Sequence, residues 1–229
     1  MGIFFNAYIG SDFFGRGIFI ALFALSIVSW IILIRKMFIL RTLSALCKRL
    51  QKDVAANQSN LFAITIPNYS PYGQVYKTLK EKALALLEKN RHFMGDDTPT
   101  FLSRSDIDSI EADLDTSIAL EIKHLEKDLF ILSTAVSLAP FLGILGTVWG
   151  ILLSLFAMQK ESSMHSNSMI MDGLATALAT TVLGLVIAIP ALIAYNYLKN
   201  SIRCLYSDMH SFSNNLLSTL ELQYRSVSL

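Results

Sequence analysis

Charge is scarce in this chain: Asp, Glu, Lys and Arg make up 16% of its 229 residues and nearly cancel, leaving a net charge of +1. A balance this close to neutral gives no basic face for nucleic acid, so charge is informative only through its placement. Cysteine is almost absent. Cys47 and Cys204 both fall on the side read below as reducing, which argues against a disulfide and for two small semi-buried thiols. The four histidines, His92, His124, His165 and His210, show no ligand spacing and read as surface residues. There is no GxSG run, no HExxH, no phosphate loop of the GxxxxGK type and no mid-membrane aspartate pair. An intramembrane enzyme therefore fits poorly, and the chain is read as a non-enzyme without cofactor or metal.

What the chain has in excess is apolar sequence. It is 53% hydrophobic with a mean hydropathy of +0.48, too apolar for an ordinary soluble domain, and the expectation is an all-α integral membrane protein. Three stretches reach spanning length. Residues 17–34 carry no charge and are long enough, at about 1.5 Å per residue, to cross a hydrocarbon core of about 30 Å. Arg35, Lys36 and Arg41 follow at once, as a cytoplasmic stop would. A cleaved signal would carry its positive charge before the apolar run, so this helix is expected to be retained.

Residues 35–127 hold 14 of the 19 Lys and Arg residues and the tail after Leu198 holds three, leaving Arg16 and Lys160. The positive-inside rule then predicts one topology. Residues 1–16 are periplasmic, 17–39 form transmembrane helix 1, and 40–127 form a cytoplasmic helical region. Residues 128–158 form helix 2, 159–168 a periplasmic loop, 169–198 helix 3, and 199–229 a cytoplasmic helix and tail.

Within the cytoplasmic region, Pro67, Asn68, Pro71 and Gly73 mark a loop over residues 57–73. A helix fits residues 74–92, with Leu79, Ala83, Leu86 and Leu87 on one face, ending at Gly95. Ser105 can cap a further helix whose first turns hold Asp106, Asp108 and Glu111. Apolar positions from Ile107 to Leu129 recur every three or four residues into the second span. One uninterrupted helix over residues 105–158, about 80 Å long, is the economical reading. Glu111, Asp113 and Asp115 read as its solvated face.

The second and third spans form a hairpin rich in small and hydroxyl residues. Gly143, Gly146 and Gly150 on one helix, and Gly173, Ala177 and Gly184 on the other, let backbones approach closely. Thr176, Thr180 and Thr181 cluster within two turns. Thr147 and Thr181 are equidistant from Met164, so a simple hairpin sets them at one depth. Two readings stand: packing alone, or a polar band that holds water or a hydrogen-bonding group. Pro140 and Pro190 each remove a backbone donor inside a span, either for a packing kink or for a hinge. Asp172 is the only carboxylate in the two long apolar segments, either a helix cap or a group at an outer mouth. Hydroxyls titrate far from physiological pH, so a proton pathway here needs a carboxylate from another chain.

Residues 139–151, APFLGILGTVWGI, and 175–196, ATALATTVLGLVIAIPALIAYN, resemble the TolQ, ExbB and MotA proton-channel family. Residues 25–36, LSIVSWIILIRK, resemble the TolQ branch in particular. The resemblance is strong over residues 135–199, fair in the first span and weak in the cytoplasmic region. It implies a three-span subunit of the bacterial inner membrane, assembled as a homopentamer around the helices of a dimeric TolR- or ExbD-like partner. That single-span partner brings the mid-membrane aspartate. Proton flow then drives movement passed on by a TolA- or TonB-like protein. The family's two pore threonines match Thr147 and Thr181. Its members commonly carry a glutamate where this chain has Thr176, so no role of that carboxylate carries over. The alternatives are a TolQ-like motor of the Tol-Pal system, an ExbB-like energiser of TonB-dependent uptake, or a non-conducting scaffold.

Overall fold

The computed structural model describes residues 2–56, 70–94, 101–160 and 166–224, and these are almost wholly helical. The helices are α1 (Gly2–Gly10), α2 (Phe13–Ala56), α3 (Pro71–Met94), α4 (Arg104–Glu126), α5 (Leu129–Lys160) and α6 (Ser166–Tyr224). Three runs are long and apolar enough to cross a membrane: Phe13–Leu46, Arg104–Phe156 and Gly173–Tyr224. The chain divides into two compact units, Met1–Lys36 with Asp128–Lys199, and Met37–Lys127 with Asn200–Leu229.

The first unit holds α1, the start of α2, all of α5 and the first part of α6. Helix α1, not anticipated from the sequence, is separated from α2 by Ser11 and Asp12. The Ser11 hydroxyl donates to the Ala7 carbonyl at 2.6 Å, while Asp12 accepts the N–H groups of Phe14 and Gly15 as the N-cap of α2. One buried cluster gathers Ile18, Leu22, Ala139 and Ala188, and another Ala7, Phe19 and Ala179. Both use alanine where helices meet, and glycine brings α5 and α6 closer still. A Cβ on Gly184 would stand 2.6 Å from the Ala139 carbonyl oxygen, so only glycine fits there. Pro140 and Pro190 both lie inside their helices.

At the other end of this unit, Lys36 is only 3% exposed and its ammonium lies 3.2 Å from Asp128, with Arg35 at 3.9 Å from the same carboxylate. The cationic stop thus includes a half-buried ion pair. Asp128 also marks the first departure from expectation. The continuous helix expected over residues 105–158 is interrupted at Lys127 and Asp128. Lys127 keeps helical dihedrals (φ −49°, ψ −44°) and its N–H still donates to the Lys123 carbonyl at 3.2 Å, so the interruption is confined to a two-residue turn beside the paired Asp128.

The second unit is built on larger side chains. Val75, Leu79 and Ala83 of α3 are fully buried, as are Ile110, Leu114 and Ile118 of α4. Tyr72 meets Phe212 of α6 edge to face at 5.4 Å. Helix α3 starts three residues before the expected 74. Ser70 accepts the Gly73 N–H on its hydroxyl, and Pro71 takes the first helical position, where a missing N–H costs nothing. Pro71 and Gly73, read as loop residues, therefore open the helix. The rest of that loop, residues 57–69, and the stop at Gly95 lie outside the described residues.

Helix α4 is capped by Ser103 and not by Ser105. The Ser103 hydroxyl accepts the Asp106 N–H, and the Asp106 carboxylate accepts the Ser103 N–H at 2.9 Å, a reciprocal capping box. Asn90 of α3 adds a bond to the same carboxylate at 3.0 Å, while Asp108, the alternative box partner, pairs with Arg104. The acidic face is open to solvent as expected, with Glu111 and Asp115 exposed and Asp113 partly so, and two of its members have partners. Asp113 pairs with Lys82 at 3.0 Å, and Asp115 lies 3.5 Å from Nδ1 of His210. His210 is half-buried against Tyr206, so it is not a plain surface histidine.

Candidate functional site: a threonine pair in the hairpin

The hairpin of α5 and α6 places Thr147 and Thr181 side by side, with their hydroxyl oxygens 3.5 Å apart. Close approach makes this possible. A Cβ on Gly143 would meet the Thr181 Cα at 3.0 Å, so the glycine lets α6 lie directly on the α5 backbone. The Gly143 carbonyl then accepts hydrogen bonds from both Thr181, at 3.0 Å, and Thr180, at 3.2 Å.

The two neighbouring threonines are in different situations. Thr180 is 3% exposed, and its hydroxyl is also 2.6 Å from the Ala177 carbonyl. Its side chain packs on Gly146, where any Cβ would collide with it. Thr180 is therefore committed to packing. Thr147 donates to the Ile144 carbonyl at 2.7 Å and, like Thr181, is only partly buried. A hydroxyl has one proton and two lone pairs, so this pair keeps acceptor capacity open. It can accept from a protonated acid, or rotate to donate to an ionised one.

The other expected site residues lie elsewhere in the unit. Thr176 is half-buried beside α1, where a Cβ on Gly10 would sit 3.9 Å from its hydroxyl. Gly150 faces Ala177, and Gly173 faces Ser154. Asp172 lies six residues past the start of α6 at Ser166, beyond the first turn, so it is not the helix cap.

Sequence reasoning missed Asp12. Besides capping α2, its carboxylate accepts the Trp149 indole N–H at 3.0 Å, and Phe14 packs against that indole at a tilt of 47°, with ring centroids 4.5 Å apart. The Asp-Phe-Phe-Gly run before an apolar helix was the readable cap signal; the partner on α5, 137 residues away, was not. Among the described residues, no group of three or more His, Cys, Asp or Glu side chains is placed to hold a metal ion. Cys204 is an exposed free thiol; the Cys47 side chain and His165 lie outside what is described.

In the second unit, at the start of α4 and well before α5 begins at Leu129, Asp106 has a shifted titration. Burial pushes its carboxyl pKa up. Hydrogen bonds from the Ser103 N–H, Asn90 and the Ser103 hydroxyl, with the field of Lys89, outweigh this and hold it below the usual value.

Known proteins share this arrangement of sequence. ExbB, a biopolymer transport protein of Aquifex aeolicus, is 46% identical over 81 residues, covering 35% of this chain and 54% of that protein. TolQ, a Tol-Pal system protein of Haemophilus influenzae, is 35% identical over 105 residues, 45% of each. The chain thus spans about half the length of these relatives. A longer alignment, 24% identical over 204 residues, covers 87% of this chain and 89% of ExbB from Neisseria meningitidis. The sequence pattern of the MotA/TolQ/ExbB proton channel family matches residues 77–211, which take in α4, α5, the threonine pair and most of α6. With more than half its length matched, and with three helices able to span a membrane, the chain belongs to the MotA/TolQ/ExbB proton channel family.

Proposed function

We propose that this chain is the proton-conducting subunit of an envelope motor driven by the proton-motive force, with Thr147 and Thr181 flanking a carboxylate supplied by a partner helix. The observation that carries this reading is the pair of partly exposed hydroxyls 3.5 Å apart, in a hairpin with no mid-membrane acid of its own. The partner is a TolR- or ExbD-like single-span protein, enclosed as a dimer by five copies of this chain. A TolA- or TonB-like protein carries the movement outward. The chain lies in the bacterial inner membrane with its N-terminus periplasmic and its tail cytoplasmic, and Asp172 lies toward the outer mouth.

The energies match. One elementary charge crossing 100 mV is worth about 2.3 kcal/mol, close to the ~2.5–3.5 kcal/mol cost of an aspartate at mid-membrane. Protonation therefore decides where the partner helix sits. Thr180 belongs to the wall of the pathway, and Thr176, where family members commonly carry glutamate, is outside its polar step.

The assignment within the family is TolQ-like, on the resemblance of residues 25–36. An ExbB-like role in uptake is the second reading, supported by the 204-residue alignment to a protein of that name. Thr147→Val and Thr181→Val, co-expressed with the partner and reconstituted in liposomes, test the central claim. Loss of a hydrogen bond to an ionised group predicts proton flux about 10- to 100-fold lower in complexes that still assemble. Thr181→Ser, which keeps the hydroxyl, should retain flux. Normal flux in both valine variants would remove the threonine pair from the pathway, and no flux in the assembled unaltered complex would leave a non-conducting scaffold as the function.

A further inference from the structure

The corner between α1 and α2 carries an isolated cation beside two apolar grooves. Arg16 immediately precedes the uncharged residues 17–34, so in either orientation of the chain it lies where hydrocarbon gives way to headgroups. Its Nη2 donates to the Ile9 carbonyl at 2.9 Å, and the guanidinium lies over the Tyr8 ring, 5.9 Å from the centroid. These contacts fix the side chain and leave most of its five donors open. Among the described residues Arg16 has no ion pair. Asp12, the nearest carboxylate in sequence, is already held by two backbone N–H groups and the Trp149 indole.

Arg16 forms part of the wall of a groove of about 600 Å³ with Tyr8, Phe13, Phe14 and Leu142. A second groove, of about 860 Å³, is walled by Phe4, Phe5, Phe19 and Phe23. Tyr8 and Ile20 are common to both, so the two run along either side of one ridge. Both are within the size range of small-molecule sites, about 300–1,000 Å³. Phe13, on the same wall as Arg16, is 95% exposed.

From the cation at one end and the apolar length beyond it, we infer that this corner binds an anionic phospholipid, its phosphate on Arg16 and its acyl chains along the two grooves. The planar guanidinium fork suits a phosphate, which it meets with two parallel donors. The apolar walls alone give no preference among lipids, since acyl chains gain little by leaving other acyl chains. Selectivity rests on Arg16. A zwitterionic headgroup would bring its own cation toward the guanidinium, so phosphatidylglycerol is favoured over phosphatidylcholine.

Native mass spectrometry of the assembled full-length protein, with added dioleoyl phosphatidylglycerol or dioleoyl phosphatidylcholine, tests this. The expected result is about tenfold more phosphatidylglycerol retained, the scale of one charge-assisted contact. The preference should disappear in Arg16→Gln. In the unaltered protein it should weaken with rising salt, which keeps the test open if the variant fails to assemble. Ile20→Trp, which fills the shared ridge, should lower retention of both lipids and leave the oligomer intact. Equal retention of the two lipids, a salt-independent preference, or an unchanged preference in Arg16→Gln overturns the proposal. So does an Ile20→Trp protein that dissociates while binding lipid normally, since the grooves would then be contacts between copies.

Discussion

The two units of this molecule solve the same packing problem with opposite side chains. In the unit that contains the hairpin, the helices meet at Ala139, Ala179, Ala188, Gly143 and Gly184, and backbones nearly touch. In the other unit, Leu79, Ile110, Leu114, Ile118, Phe212 and Leu216 fill the core, and ion pairs and caps cover its edges. On the proposed topology, with the hairpin in lipid and the second unit in water, the solvents account for the difference. Water rewards buried apolar area at about 25 cal/mol per Å², so large side chains stabilise a unit that stands in it. Lipid offers no such gain, so helices associate through close fit, and small residues supply it. The polar step of the hairpin follows from that fit: Gly143 brings Thr147 and Thr181 within reach of each other.

Substitutions at three places test this difference between the units. The largest effect is expected from exchanging the two packing styles. Leu114→Ala should destabilise the large-residue unit by about 2–5 kcal/mol, and Gly184→Leu should cost the hairpin about 1–3 kcal/mol by overpacking against Ala139. Thermal unfolding of the purified protein measures both. A tolerated Gly184→Leu would mean that the small faces of the hairpin are not a fit at all.

A smaller effect is expected at the α4 cap. Asp106→Asn should lose about 1 kcal/mol near neutral pH. The folded carboxyl titrates below its ordinary value, so its contribution is fully present above the unfolded pKa, about 4, and is lost as pH falls through the lower folded value. Unfolding midpoints of the two proteins should therefore converge in acid and separate above about pH 4. Convergence at neutral pH instead would remove the cap from the account. The smallest effect belongs to the exposed pair Lys77–Glu81, 3.8 Å apart on α3. Lys77→Ala should shift stability by no more than about 0.3–0.5 kcal/mol, less in high salt.

Much of this was readable along the chain because it is periodic or local. The apolar stripe Ile107, Ile110, Leu114 and Ile118 announced a buried helix face, and the glycines of the two long apolar segments announced close approach. Termini were less legible. Ser103 and Ser105 each precede an aspartate by three residues, so the sequence offers two equivalent caps, and the additional bond from Asn90 distinguishes the one used. Asp115 and His210 are 95 residues apart, and nothing in either neighbourhood advertises their contact.

Three segments long and apolar enough to span a membrane, and a hairpin without a mid-membrane acid, can be read along the chain. Composition and order suffice for both, because hydropathy and titration belong to single residues. Which hydroxyls are open depends on how α5 and α6 pack. Thr180 and Thr181 are adjacent in the chain and identical in chemistry. Successive residues on a helix point about 100° apart, so one is sealed against Gly146 while the other meets Thr147.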